Sequence, residues 1–244
     1  MMLGRLALLA AFLLAWEAAS GTLVPKFVAS SPSAIGKVLG GWLADGSLWR
    51  HLRATLTEMA AGYVVGAGGG IAAGLALGFL PRAERIASPF VAALYALPKI
   101  ALAPLFVIVF GIGLESKIVL VAITVFFLLL YNTLDGIRDI DRDLPQALAV
   151  MGASRAEIVR KAMLPATLPW IFTGLRIAVR YAFTAAVLGE LIAGNEGIGF
   201  LIEYAAGQYN SAGVYAGVLV LVIFSVGLTE LLSRTEAGAL RWRV

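Results

Sequence analysis

Apolar residues run in long unbroken blocks along this chain instead of recurring at the short periods of a water-soluble fold. A helix needs roughly 20 mostly apolar residues to cross a bilayer. Six blocks qualify: 6–24, 55–80, 89–111, 117–134, 168–193 and 213–233. The pattern predicts an all-α integral membrane protein of about six transmembrane helices. It reads as a single domain over 1–244, with an N-terminal span at 6–24 and core spans across 55–233. The last block is the clearest, with no charge between Glu203 and Glu230, whereas Lys99 interrupts the third and Arg176 and Arg180 the fifth. Charges at membrane depth are costly and mark pairs or functional sites.

Composition agrees: 60% of the 244 residues are hydrophobic and 14% charged, against about 25% charged in soluble domains. The longest polar interruption, 136–169, holds Arg138, Arg142, Arg155, Arg160 and Lys161. With both termini and this loop on one side, that side also carries Arg5, Arg82, Arg85, Arg234, Arg241 and Arg243, eleven basic residues in all. The opposite side carries five: Lys26, Lys37, Arg50, Arg53 and Lys117. The excess places both termini in the cytoplasm. It also accounts for the net charge of +4 without nucleic acid. The first block also fits a signal peptide, with Ala18-Ala19-Ser20 before Gly21. The apolar run continues through Val24, which favours a retained span.

Gly62, Gly66, Gly70, Gly74 and Gly78 recur every four residues in the second block. Such spacing lets helices pack closely, and tight packing is a better reading than a sliding interface. Absence of cysteine excludes disulfides and thiolate chemistry. One histidine, His51, gives neither a multi-histidine metal site nor a Ser-His arrangement within the spans. Asp135, Asp139, Asp141 and Asp143 lie at or beyond a span end, unlike an intramembrane aspartyl protease. No catalytic or metal site is expected.

The polar interruption has its own local order. Asp143 and Gln146 give an N-terminal cap pattern with Pro145 in the first turn. Leu144, Ala147, Leu148 and Met151 share one helical face. Gly152 suits the left-handed residue that ends a helix, and Ala153 leads to Ser154, spaced with Glu157 as a capping box. A second short helix follows, closed by Leu164-Pro165.

The run Gln146-Ala147-Leu148, Gly152, Ala162, Leu164-Pro165 resembles the EAA loop of ABC-importer permease subunits. That pattern is E-A-A, three residues, G, nine residues, I, one residue, L-P. Ala147, Gly152, Leu164 and Pro165 match it, whereas Gln146, Leu148 and Ala162 stand for Glu, Ala and Ile. Leu14-Ala15-Trp16-Glu17, Ser31-Pro32-Ser33, the run from Leu97-Pro98-Lys99 to Leu105-Phe106, and Phe110-Gly111-Ile112-Gly113 extend the resemblance. Gly174-Leu175-Arg176, Glu190-Leu191-Ile192 and Gly197-Ile198-Gly199 carry it to nearly the whole length. Together they look like the nitrate/sulfonate/taurine-type branch.

The resemblance implies a type I (MetI-like) permease fold with a cytoplasmic coupling helix in the loop 136–167, located in a bacterial inner membrane. It implies a second permease copy, two ATPase subunits that bind ATP and Mg2+, and a periplasmic or lipid-anchored solute-binding protein. This chain would then be a transporter subunit without cofactor or enzymatic activity of its own. No G-x-x-x-x-G-K-[ST] phosphate loop occurs. Leu144, Gln146, Ala147, Leu148, Met151, Gly152, Ala153, Ser154, Leu164 and Pro165 are the expected ATPase contacts.

For the solute pathway the candidates are Pro98, Lys99, Asn132, Arg180 and Glu190. Arg180 lies about 18 Å along its helix from Leu168. It either lines a wet path or pairs with a carboxylate such as Glu17 or Glu58, while Arg176 snorkels to the interface. Lys99 either lines a cavity at a broken helix or is satisfied at a kink. Two cations suit an anion such as nitrate, a sulfonate, taurine or bicarbonate; a thiamine-precursor pyrimidine is the alternative solute. An ion-coupled secondary transporter would call for an internal repeat or coupling carboxylates, and it leaves the helix–turn–helix loop unexplained.

Overall fold

The computed structural model describes residues 2–141 and 143–239, with side chains for 4–141 and 143–230. Arg142, Arg241 and Arg243 of the cytoplasmic charge count lie outside the described residues, as does the Arg234 side chain. Among the described residues the regular elements are helices, apart from an isolated bridge between Ser20 and Val24. Four are long and apolar enough to cross a membrane, five if one bent pair counts as a span. The chain divides into two compact units, Leu56–Gly189 on one hand and Met1–Thr55 with Glu190–Val244 on the other.

The central unit is built on α3 (Ser47–Gly78) from residue 56 onward, α4 (Pro81–Ala96), α5 (Ala103–Phe110) and α6 (Leu114–Arg138). The short α7 (Asp143–Val150) and α8 (Arg155–Ile158) follow, then α9 (Leu164–Ala193) through residue 189. The glycine repeat of α3 lies against α6. A Cβ on Gly66 would stand 2.4 Å from the Ala122 carbonyl oxygen, and one on Gly70 2.4 Å from that of Phe126. Only glycine lets the two backbones approach this closely. Val121, Val125, Leu128 and Leu129 of α6 pack with Ala178, Ala182, Ala185 and Ala186 of α9 to form the core.

Two expectations change here. The block 89–111 is not one straight span. α4 ends at Ala96, a 3-10 turn covers Lys99–Leu102, and α5 departs at 81°. Leu97 is extended because Pro98 disfavours a helical residue before it. Conversely, Leu164-Pro165 does not close a helix. The chain stays helical over 155–193, with a π-turn at Val159–Met163 that absorbs the hydrogen bond Pro165 cannot donate.

In the other unit α1 (Met2–Ala19) stops five residues short of the expected end of the first span at Val24, as the chain turns at Gly21 (φ +84°). α2 (Pro32–Ala44), a helix outside the six blocks, is capped by Ser31. Glu17 accepts hydrogen bonds from the Ser33 backbone N–H (2.9 Å) and hydroxyl (2.6 Å), so its carboxylate anchors α2. α10 (Ile198–Gly207) and α11 (Ser211–Ala239) complete this unit.

Candidate coupling loop and translocation face

The hook between α6 and α9 is fixed by local bonds. Asp141 Oδ1 accepts from the Asp143 N–H at 3.0 Å and starts α7. Gly152, at φ +87°, ends it: the Gly152 N–H donates to Ala149 O and the Ala153 N–H to Leu148 O, both at 3.0 Å. This is a Schellman closure, which needs the left-handed residue glycine supplies. Ser154 and Glu157 then form both halves of a capping box. Lys161 Nζ lies 2.9 Å from Glu157 Oε1. The Lys161 ammonium and the Ser154 donors hold the Glu157 carboxyl down to about 2.

The hook is also tied to the membrane helices. Arg155 Nη2 donates to Phe79 O at 2.8 Å, meeting a carbonyl just past α3. Arg138 binds Glu84 of α4, with Ser88 and Asp135 at 3.1 and 3.3 Å. Gln146 borders a cavity of about 370 Å³ with Gly78, Pro81, Glu84, Ile137 and Arg138. Away from that cavity the tip is bare: Val150 is 89% and Met151 81% exposed, and Leu144 and Ala147 are exposed as well. Ala162, at the motif's Ile position, is buried, whereas Leu148 and Leu164 are half-buried and Pro165 is exposed.

The pathway candidates have distinct fates. Pro98 sets the break, and Lys99 beside it is occupied. Its ammonium donates to Tyr95 O and sits 4.7 Å from the Tyr95 ring centroid and 5.7 Å from that of Phe127. Tyr95 stacks on Tyr131 at 4.7 Å and 25°. Asn132 Nδ2 donates to Leu128 O at 2.9 Å, and its side chain lies against Gly174. Arg180 is exposed on α9. Glu190, in the other unit, is buried, and its Oε2 accepts from the Gly199 N–H at 2.7 Å.

Sequence reasoning missed three groups. Glu58, considered as a partner for Arg180, pairs instead with Lys117 at 3.1 Å, both side chains buried. The Tyr95–Lys99 and Phe127–Tyr131 spacings of four were legible as same-face pairs, but their meeting across two helices was not. His51 and Thr55, one turn apart, both face the turn at 197–199.

The loop is thus stiffened at both ends, tethered to the end of α3 and left uncovered at its apolar tip. Residues 66–234 match the family model described as "Binding-protein-dependent transport system inner membrane component". The chain belongs to this family. The permease is 32% identical over 218 residues to the Riboflavin transport system permease protein RibX of Chloroflexus aurantiacus, covering 89% of this chain and 81% of that one. It is 32% identical to the Formylaminopyrimidine transport permease protein ThiX of Halalkalibacterium halodurans (82% and 80% covered). It is also 34% identical to the Nitrate import permease protein NrtB of Leptolyngbya laminosa (82% and 70%). The fold matches the inward-facing MetNI methionine ABC transporter with a TM-score of 0.64 at 22% identity, over 80% of this chain and 98% of that one. The permease therefore has the MetI-like ABC-permease fold, all-helical and membrane-embedded.

Proposed function

We propose that two copies of this permease form the pathway of an ATP-driven importer in a bacterial cytoplasmic membrane, with both termini in the cytoplasm. Two separate ATPase subunits bind ATP and Mg2+, and a periplasmic or lipid-anchored solute-binding protein delivers the solute. The observation that carries this reading is the stiff hook with Val150 and Met151 bare at its tip. Leu144, Leu148 and Met151 supply apolar contact to an ATPase groove, Ala147 permits close approach, and Gln146 stands at the hook's base. Gly152, Ala153 and Ser154 form the turn, and Leu164 and Pro165 pass its motion into α9. A packed two-state interface of this kind transmits nucleotide closure as rigid-body movement.

For the solute we infer a small anion such as nitrate, a sulfonate or taurine, or bicarbonate. Arg180 supports this: a guanidinium exposed on the single chain at mid-helix belongs on a wet face, not against lipid. Lys99, held by Tyr95 and Phe127, shapes the break in the pathway wall, and Asn132 follows Tyr131, the stacking partner of Tyr95, on α6. Glu190 keeps the end of α9 in register with the turn at 197–199. A second reading, a thiamine-precursor pyrimidine, is favoured by the Tyr95–Tyr131 stack, whose aromatic faces suit a planar ring.

Proteoliposomes holding the permease, its ATPase subunits and its binding protein test both levels. Uptake is expected only with ATP inside, and full transport by this polypeptide alone overturns the importer reading. A competition panel of nitrate, taurine, bicarbonate and a pyrimidine decides the solute. Arg180→Ala is expected to abolish anion uptake, and unchanged anion uptake removes its role.

A further inference from the structure

The chain's one histidine is used in a way the transport reading does not require. Three consecutive backbone N–H groups at the start of α10 are each met by a buried side chain. The Gly197 N–H donates to His51 Nδ1 at 3.0 Å, the Ile198 N–H to Thr55 Oγ1 at 3.0 Å, and the Gly199 N–H to Glu190 Oε2 at 2.7 Å. These groups have no partner within their own helix. Gly197, at φ +109°, lies so close to the Glu190 carboxyl that a Cβ would overlap it. The turn at 197–199 is thus anchored by α3, through His51 and Thr55, and by the end of α9.

Two of these anchors tolerate protonation differently from the third. Thr55 does not titrate, and Glu190 keeps one acceptor oxygen even when protonated. His51 accepts through Nδ1 only while that nitrogen carries no proton, so its ring proton resides on Nε2. Adding a second proton removes the acceptor and sets one N–H against another. The ring is 2% exposed and stacks on Phe200 at 5.7 Å, so a charged imidazolium there also loses hydration. The charges facing it come from several elements. Arg50 Nη2 is 3.2 Å from Nε2. A guanidinium only donates and the neutral ring has one acceptor, so with Nδ1 serving the Gly197 N–H, Arg50 acts on the Nε2–H side through its charge alone and opposes a second proton. Asp45 and Glu196 act on the ring in the opposite sense, and Glu190 lies across the turn.

We propose that His51 is a positioning residue whose protonation releases the α10 N-terminus, making this end of the permease acid-sensitive. The anchorage is present above the pH at which His51 titrates and is lost below it. Under the proposed topology this turn faces the exterior, where acidity follows the medium. That consequence rests on the importer reading, while the release itself does not.

The test uses the full chain in lipid nanodiscs, purified without a histidine tag. A single histidine gives one imidazole signal, so its titration is read by NMR without assignment. Amide hydrogen exchange at 197–199, corrected for the intrinsic rate, is followed over the same pH range. Protection is expected to fall with the same midpoint as the imidazole, by up to about tenfold per pH unit below it. In Arg50→Gln both midpoints are expected to rise together. His51→Gln, which accepts a hydrogen bond without titrating, is expected to flatten the exchange profile. Protection that ignores the imidazole titration, midpoints that separate in Arg50→Gln, or a wild-type acid response in His51→Gln each overturn the proposal. The proposed topology is tested separately by labelling from either side of the membrane.

Discussion

Lys117 Nζ lies 3.1 Å from Glu58 Oε1, with the two side chains 3% and 1% exposed. The pair joins the first turn of α6 to α3 within the unit that also holds the glycine spine. Breaking such a pair leaves a charge buried without its counter-ion, which costs about 3–5 kcal/mol, whereas replacing both partners by apolar residues of similar volume costs far less. Lys117→Met is therefore expected to lower stability strongly, and Glu58→Leu added to it to recover most of the loss. Denaturation of the parent, Lys117→Met, Glu58→Leu and the double variant in one detergent forms the double-mutant cycle. A Lys117→Met variant as stable as the parent contradicts the assignment.

The glycine spine predicts a contrast between neighbours two residues apart. A Cβ at Gly66 meets the Ala122 carbonyl at 2.4 Å, while one at Gly68 meets nothing within 4 Å. Gly66→Ala is expected to cost about 1–3 kcal/mol through overpacking. Gly68→Ala is expected to be neutral or stabilising by about 0.5–1 kcal/mol, because alanine is the better helix former. Thermal unfolding of the two variants side by side decides it.

The capping box of the hook has a definite pH signature. Its Glu157 carboxyl is held near 2, below the ordinary 4.5, by Lys161 first and then by the Ser154 donors. A depressed folded value means that the stabilisation is complete above about 4.5 and fades as pH falls towards 2. Exchange protection of the Ser154 amide is expected to be constant between pH 5 and 8, in units of the intrinsic rate, and to drop only under strong acid. Glu157→Gln keeps the cap's shape without the Lys161 ion pair and is expected to lose that acid transition.

Lys99 tests whether the break between α4 and α5 is held by its ammonium. Lys99→Met removes the hydrogen bond to Tyr95 O and the contacts with the Tyr95 and Phe127 rings, but keeps most of the volume. Cation–π contacts are worth about 0.5–2 kcal/mol. Spin labels on either side of Pro98 are expected to show a broader distance distribution in the variant than in the parent. An unchanged distribution assigns the bend to Pro98 and Pro104 alone.

What the sequence revealed was local. The capping box at Ser154, the left-handed turn at Gly152 and the four-residue glycine spacing each depend on residues a turn or two apart. All three stand in the structure. Leu164-Pro165 misled because a π-turn absorbs a proline that would otherwise stop a helix. Glu17, Glu58 and Glu190 could not be placed, since a buried carboxylate's partner is chosen by how distant segments pack. The sequence offers several acids of equal merit, and only the fold selects among them.

The central claim is that the hook seats in a separate ATPase, and the cysteine-free chain allows it to be tested with one probe. Met151→Cys, exposed at the tip, is labelled with a membrane-impermeant maleimide in right-side-out and inside-out vesicles, with and without the ATPase subunits. Labelling only from the cytoplasmic side, and protection when the ATPase is assembled, is the predicted result. Labelling from the outside, or equal labelling with the ATPase bound, would contradict it.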